Sequence, residues 1–203
     1  GSKAALARDA IRTLELDSLA CPRSVSDVHT ALVDFAGFIA AQPASTVVHS
    51  FAAIFRGPHR TDERSFDGLL WAFLQRLHDV DRGRGHRWAS DVESNPNHAR
   101  FSLSVATHPF FVIGLHPGAS RLARRFEVPV LVFNSHRQFD RLRADGRYGK
   151  MQAATRSRDM ALQGSLNPIL ADFGTAPETR QYSGRAVEAD WRCPLDIRTG
   201  APH

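Results

Sequence analysis

Apolar positions recur along the chain at helical and at alternating spacing, and each spacing predicts an element. Val28, Ala31, Leu32, Phe35 and Ile39 fall on one helix face, with Asp27 placed to cap that helix and Pro43 to stop it. From Thr46 to Phe55, alternate positions Val47, His49, Phe51, Ala53 and Phe55 share one side of a strand that Gly57-Pro58 ends. Ser65 stands where a cap opens a second helix, whose Phe66, Leu69, Leu70, Phe73, Leu74 and Leu77 form a wide apolar stripe. Residues 80–100 are polar and rich in Gly, Asn and Asp, which predicts an ordered loop. Two short apolar strands follow, Phe101 to Ala106 and Phe110 to Leu115, with Thr107-His108-Pro109 as the turn between them. Val128 to Asn134 is a fourth strand, and Gln138 to about Gln163 is helical with an interruption near Gly146. Past Pro168 the chain reads as irregular, punctuated by Gly174, Pro177 and Gly184.

Strands flanked by helices, without regular βαβ alternation, predict an α+β class: a single domain over residues 1–203 with a mainly antiparallel sheet flanked by helices. At 203 residues the chain is long enough for one well-buried core, and 42% hydrophobic with 23% charged residues excludes a disordered chain. No apolar run approaches the length of a membrane span, so no membrane partner is expected. Cys21 and Cys193 are too few for a disulfide scaffold, which points to a reduced cytoplasmic setting. The net charge of +5 suggests a polyanion until the cations are located. Lys3 and Lys150 are the only lysines, and the arginines are scattered among acids, densest at Arg121, Arg124 and Arg125, so nucleic acid is not the expected partner. The stripe from Phe66 to Leu77 is expected to be core, and a homodimer is compatible with the sequence. Ten histidines turn attention to metals and proton transfer.

Four segments carry candidate chemistry. In Gly114-Leu115-His116-Pro117-Gly118 a strand ends at a histidine and the chain turns sharply, presenting an imidazole from a rigid element. Phe133-Asn134-Ser135-His136 is a second strand exit with a histidine. Taken singly, each is more often a histidine that hydrogen-bonds a carbonyl. Gln152, Arg156, Asp159 and Gln163 share one helix face, either a solvated stripe with an Arg156–Asp159 pair or the lining of a polar pocket. The tail holds Glu178, Arg180, Tyr182 and Arg185, suited to carboxylates or phosphates, and Cys193-Pro194, either a thiolate ligand or a small buried hydrophobe. No CxxC, HExxH, GxxxxGK[ST] or GxSxG motif is present.

The stretch Phe110-Phe-Val-Ile-Gly-Leu-His-Pro-Gly-Ala-Ser-Arg-Leu-Ala-Arg-Arg-Phe126 resembles the central signature of the YqcI/YcgG family. The resemblance continues through Val132-Phe-Asn-Ser-His-Arg-Gln-Phe139, Gly146 to Met151, Arg158 to Pro168, Arg180-Gln-Tyr-Ser-Gly-Arg185 and Trp191-Arg-Cys-Pro194. Its GLHP and NxHxQF segments are similar to those of a branch of heme-dependent N-hydroxylases in guanitoxin- and D-cycloserine-type biosynthesis. That resemblance implies a heme b monooxygenase acting on the guanidine group of L-arginine or an arginine-derived metabolite, with O₂ or peroxide as oxidant and an electron donor as partner. His116 is then the expected axial iron ligand, with His136 the second choice or a distal donor to bound oxygen, and Cys193 the next candidate. Arg121, Arg124 and Arg125 are expected on the heme propionates. Asp159 is expected to fork the substrate guanidinium, with Glu178 as the weaker candidate, and Arg156, Arg180 or Arg185 to hold the substrate carboxylate. The alternative is a non-catalytic heme carrier or sensor that shares the ligand and the arginines.

Overall fold

A computed structural model describes residues 10–42, 47–165 and 174–200, so the features expected at Pro43, Thr46 and Pro168 lie outside the described residues. One sheet holds β1 (Ile11–Ser18), β2 (Ser50–Gly57), β3 (Leu103–Val105), β4 (His108–Leu115) and β5 (Val130–Ser135), in the order β1-β2-β5-β4-β3. Only the β1–β2 pair is parallel; β2–β5, β5–β4 and β4–β3 are antiparallel. The helices are α1 (Pro22–Ala41), α2 (Glu63–Gly83), α3 (His136–Ala144) and α4 (Tyr148–Gln163). The class is α+β with a mainly antiparallel sheet, as the patterns predict. Among the described residues no helix is long and apolar enough to cross a membrane.

Several boundaries differ from the sequence reading, each for a local reason. Helix α1 opens at Pro22, which needs no partner for a backbone N–H, so Asp27 lies inside the helix and caps nothing. Helix α2 is capped by Asp62, whose carboxylate accepts from the Ser65 N–H, so Ser65 receives the cap where it was expected to supply it. The β3–β4 turn is the pair Ala106-Thr107, both left-handed at φ 53° and 58°, and His108 and Pro109 belong to β4. The Ala106 N–H donates to Asp81, and Arg137 donates to the Thr107 carbonyl, which holds this turn. The break between α3 and α4 falls at Gly146, φ 69°, as expected. Strand β1 carries little periodic signal, since only Leu16 of its eight residues is fully covered.

The core lies between one face of the sheet and helices α1 and α2. Phe35 of α1 packs within 6.2 Å, centroid to centroid, of both Phe51 and Phe110, and Phe133 closes the cluster. Phe66, Leu70, Phe73, Leu74 and Leu77 of α2 are all fully buried, so that stripe is core, as expected.

The first turn of α2 lies directly on the end of β4. A Cβ at Gly118 would stand 2.3 Å from the Thr61 carbonyl oxygen, and one at Gly114 would stand 2.6 Å from the Phe66 ring. Gly118→Ala is expected to destabilise the fold by roughly 1–3 kcal/mol, because backbone must shift to admit the methyl group. Gly149→Ala in α4, where an added Cβ meets nothing within 4 Å, is expected to leave the urea midpoint unchanged or slightly raised.

Candidate functional site

His116 is the residue after β4, and the alternation of that strand turns it toward α2. Its ring stacks on Phe66 with centroids 4.2 Å apart and planes 18° apart, and the residue is 1% exposed. Burial lowers its pKa, against the opposing pull of Glu63 and the Thr61 backbone, which keeps the imidazole neutral at pH 7. Its Nδ1 is buried and has no hydrogen-bond partner. The loop beyond is tied back to α2 by Ser120, whose N–H and hydroxyl both donate to Glu63.

The three arginines of that loop do three different things. Arg121 donates to Asp159 of α4 at 2.5 Å and to the Ser165 carbonyl at 2.7 Å. Arg124 is engaged inside the fold: it donates to the carbonyls of Gly114, Gln181 and Tyr182, and burial lowers its pKa to about 10. Arg125 is exposed and donates through Nε to the Ala119 carbonyl. Leu122 and Phe126 beside them are 44% and 46% exposed, and Met160 and Leu162 of α4 are 45% and 56% exposed. Asp159 therefore already holds a guanidinium here, and Arg156 lies half-buried on the same helix.

His136 does not join this group. Strands β4 and β5 are antiparallel, with Phe110 opposite Ser135, so their C-terminal ends point to opposite edges of the sheet. His136 is level with the start of β4 and His116 follows its end, a separation of roughly 20 Å at 3.3 Å per residue. The expectation that His136 acts as distal donor to a ligand on His116 is thus corrected by the register of the sheet. His136 instead opens α3 with its Nδ1 3.1 Å from Asp140, which also takes Arg143. Nearby, His108 hydrogen-bonds Ser135 at 2.8 Å, and burial brings its pKa down to about 4.

The tail runs along the free edge of β4, where Gly114 N–H donates to the Tyr182 carbonyl. Glu178 is buried, accepts from the Tyr182 hydroxyl, and its pKa is pushed up by burial from 4.5 to about 8. It is therefore a neutral acid at pH 7 and does not suit the anionic fork expected of it. Arg180 donates to the carbonyls of Glu188, Ala189 and Trp191. Arg185 lies 3.3 Å from Asp67, one residue after the Phe66 that covers His116. Burial pushes the Cys193 thiol up to about 12, so it packs as a neutral group and not as a thiolate.

The family model described as YqcI/YcgG family matches residues 1–196. The chain belongs to the YqcI/YcgG family. No curated protein and no solved structure matches it. The stretch from Phe110 to Phe126 forms one structural unit within the chain: most of β4, the His116 turn seated on α2, and the arginine loop. What the sequence did not signal in this family member is a second cluster, His29, Asp81 and His86, drawn from α1, the end of α2 and the turn just beyond it. No short spacing brings those residues together, because 52 positions separate His29 from Asp81.

Glu178 sets a pH dependence that can be isolated. Between about pH 4.5 and 8 the unfolded chain has released this proton and the folded chain has not, so this group's contribution falls as pH rises. Glu178→Gln, neutral and similar in shape, is expected to flatten that fall, about 1.4 kcal/mol per pH unit at its steepest. The difference between the urea stabilities of the two proteins from pH 5 to 8 measures it, and cancels the opposing contribution of His108.

Proposed function

We propose that this protein is a heme-dependent monooxygenase that N-hydroxylates the guanidine group of L-arginine or an arginine-derived metabolite in a specialised-metabolite pathway, with His116 as the residue that would hold the iron. The observation that supports it most is the neutral, buried imidazole of His116 with an unpartnered Nδ1, beside an exposed apolar and cationic rim. A neutral imidazole nitrogen is the donor that heme iron takes, and Leu122, Phe126 and Arg125 match a flat apolar ring with anionic edges. The donor and rim residues therefore suit the group in type, while the packed His116 ring admits it only once the loop above it moves. Heme b, when bound, supplies the activation of O₂ or peroxide that oxygen insertion at nitrogen requires.

The chain's own residues do the rest. Phe66 fixes the plane of the His116 ring by stacking, and Gly114 and Gly118 permit that approach. Because His116 is 1% exposed, heme entry requires the packing around the ring to open, and Ser120–Glu63 is one of the contacts that tie the 117–126 loop to α2. Asp159 holds a guanidinium: that of Arg121 in this structure, and that of the substrate by exchange. Arg156 on the same helix face is placed to take the substrate carboxylate. With O₂ the reaction converts N–H to N–OH and consumes two electrons and two protons from a donor, leaving one water; with peroxide no outside electrons are needed.

The test is an arginine titration of the heme-reconstituted protein, followed by mass spectrometry for hydroxyarginine after turnover. L-Arginine is expected to shift the Soret band, and Asp159→Asn is expected to weaken that response by about tenfold or more, since the charge-assisted bonds to the guanidinium are lost. A Soret band indifferent to arginine and to related guanidines would contradict the substrate assignment.

A further inference from the structure

At the opposite edge of the sheet from His116, three side chains converge that no part of the preceding reading uses. His29 of α1, Asp81 in the last turn of α2 and His86 just beyond it place one ligand atom each within 4.8 Å of one another. His29 Nε2 and Asp81 Oδ1 are 2.8 Å apart, with side chains 0% and 6% exposed. His86 is half-buried at the mouth, its ring centroid 5.5 Å from that of His29. Gly85, at φ 82°, reverses the chain over the helix end, and the His86 N–H donates to the Asp81 carbonyl, which brings His86 back above the pair.

The electrostatics of the cluster call for a cation. Asp81 is a buried carboxylate near the negative pole of a 21-residue helix, where an acid is unfavourable. Its Oδ1 receives two N–H groups, one from His29 and one from Ala106 in the left-handed β3–β4 turn. That turn places two residues other than glycine in a costly conformation, and its Ala106 N–H fixes the carboxylate by donating to Oδ1, as an outer-shell donor does to a ligating carboxylate. On the far side of the His29 ring, Arg84 lies 2.8 Å from Nδ1 and also donates to Ser26 and Thr30. A guanidinium only donates, so Nδ1 accepts, the imidazole is neutral, and its proton is on Nε2 facing Asp81.

We infer that His29, Asp81 and His86 form a binding site for a divalent borderline cation such as Zn²⁺, independent of the heme reading. The metal takes the place of the proton between Nε2 and Asp81. That proton moves to Nδ1, the ring stays neutral, and the exposed Arg84 turns away to water because both atoms are now donors. Two imidazoles and one carboxylate leave room for water in the remaining position, and the ligand types suit Zn²⁺ or Co²⁺ ahead of Mg²⁺ or Ca²⁺.

Calorimetric titration of the whole chain with Zn²⁺, repeated with Co²⁺ under a visible spectrum, tests the site. The expected result is one tight ion per chain that His86→Ala weakens by about tenfold or more and that Arg84→Gln strengthens. His86 is half-buried at the mouth, so its variant is expected to keep the wild-type circular dichroism and melting temperature, separating lost binding from lost fold. Affinity unchanged in His86→Ala, no tight ion in the wild type, or weaker binding in Arg84→Gln overturns the assignment.

Discussion

The N-terminal turn of α2 and the end of β4 approach so closely that neither Gly114 nor Gly118 has room for a side chain. Most of the candidate site follows from that contact. It presses Phe66 flat against His116, removes the imidazole from water, and thereby holds it neutral. It sets the loop after His116 over α2, where Ser120 bonds Glu63, and brings Arg124 within reach of carbonyls on both β4 and the tail. A larger residue at either glycine would pry the loop off and expose the ring, so the spacing Gly-x-His-Pro-Gly has a packing reason as well as a chemical one.

The second constraint is the length and direction of β4. Its eight residues separate His116 from the pair His108 and His136, and the antiparallel partner β5 delivers its own exit to the other edge. His116, Arg121, Arg125 and Asp159 collect at one edge, joined there by Arg185 through Asp67. His108 and His136 collect at the opposite edge, near the turn that Asp81 holds. A fold of this kind can carry two separate chemistries without either touching the other. Glu178 and Tyr182 bridge the distance along the strand edge, but as a buried neutral acid and a phenol they serve cohesion.

The parts legible in the sequence were those where one face is buried over many residues. Phe35, Phe51 and Phe66 announced themselves by periodicity and Phe110 by a short apolar run, and all four are core. Strand β1 escaped because an edge strand has little to bury, and Leu14-Glu15-Leu16-Asp17 is a faint alternation. The α2 cap was misplaced because Asp62 and Ser65 are both capping types, and only the geometry says which one accepts. His116 was legible as a strand exit, and so was His136. Their separation was not, because two identical-looking exits lie at the same edge in a parallel pair and at opposite edges in an antiparallel one. Nor could spacing show that Asp159 pairs with Arg121, from another element.

The proposed function of this YqcI/YcgG family member rests on one histidine, His116, as the residue that would hold heme. The direct measurement is the absorption spectrum of the wild type, His116→Ala and His136→Ala after identical heme reconstitution, with far-UV circular dichroism on each. A one-to-one Soret band is expected in the wild type and in His136→Ala, and its loss or collapse in a folded His116→Ala. Heme retained unchanged by His116→Ala but lost by His136→Ala, or no specific heme uptake by the wild type, would contradict that assignment.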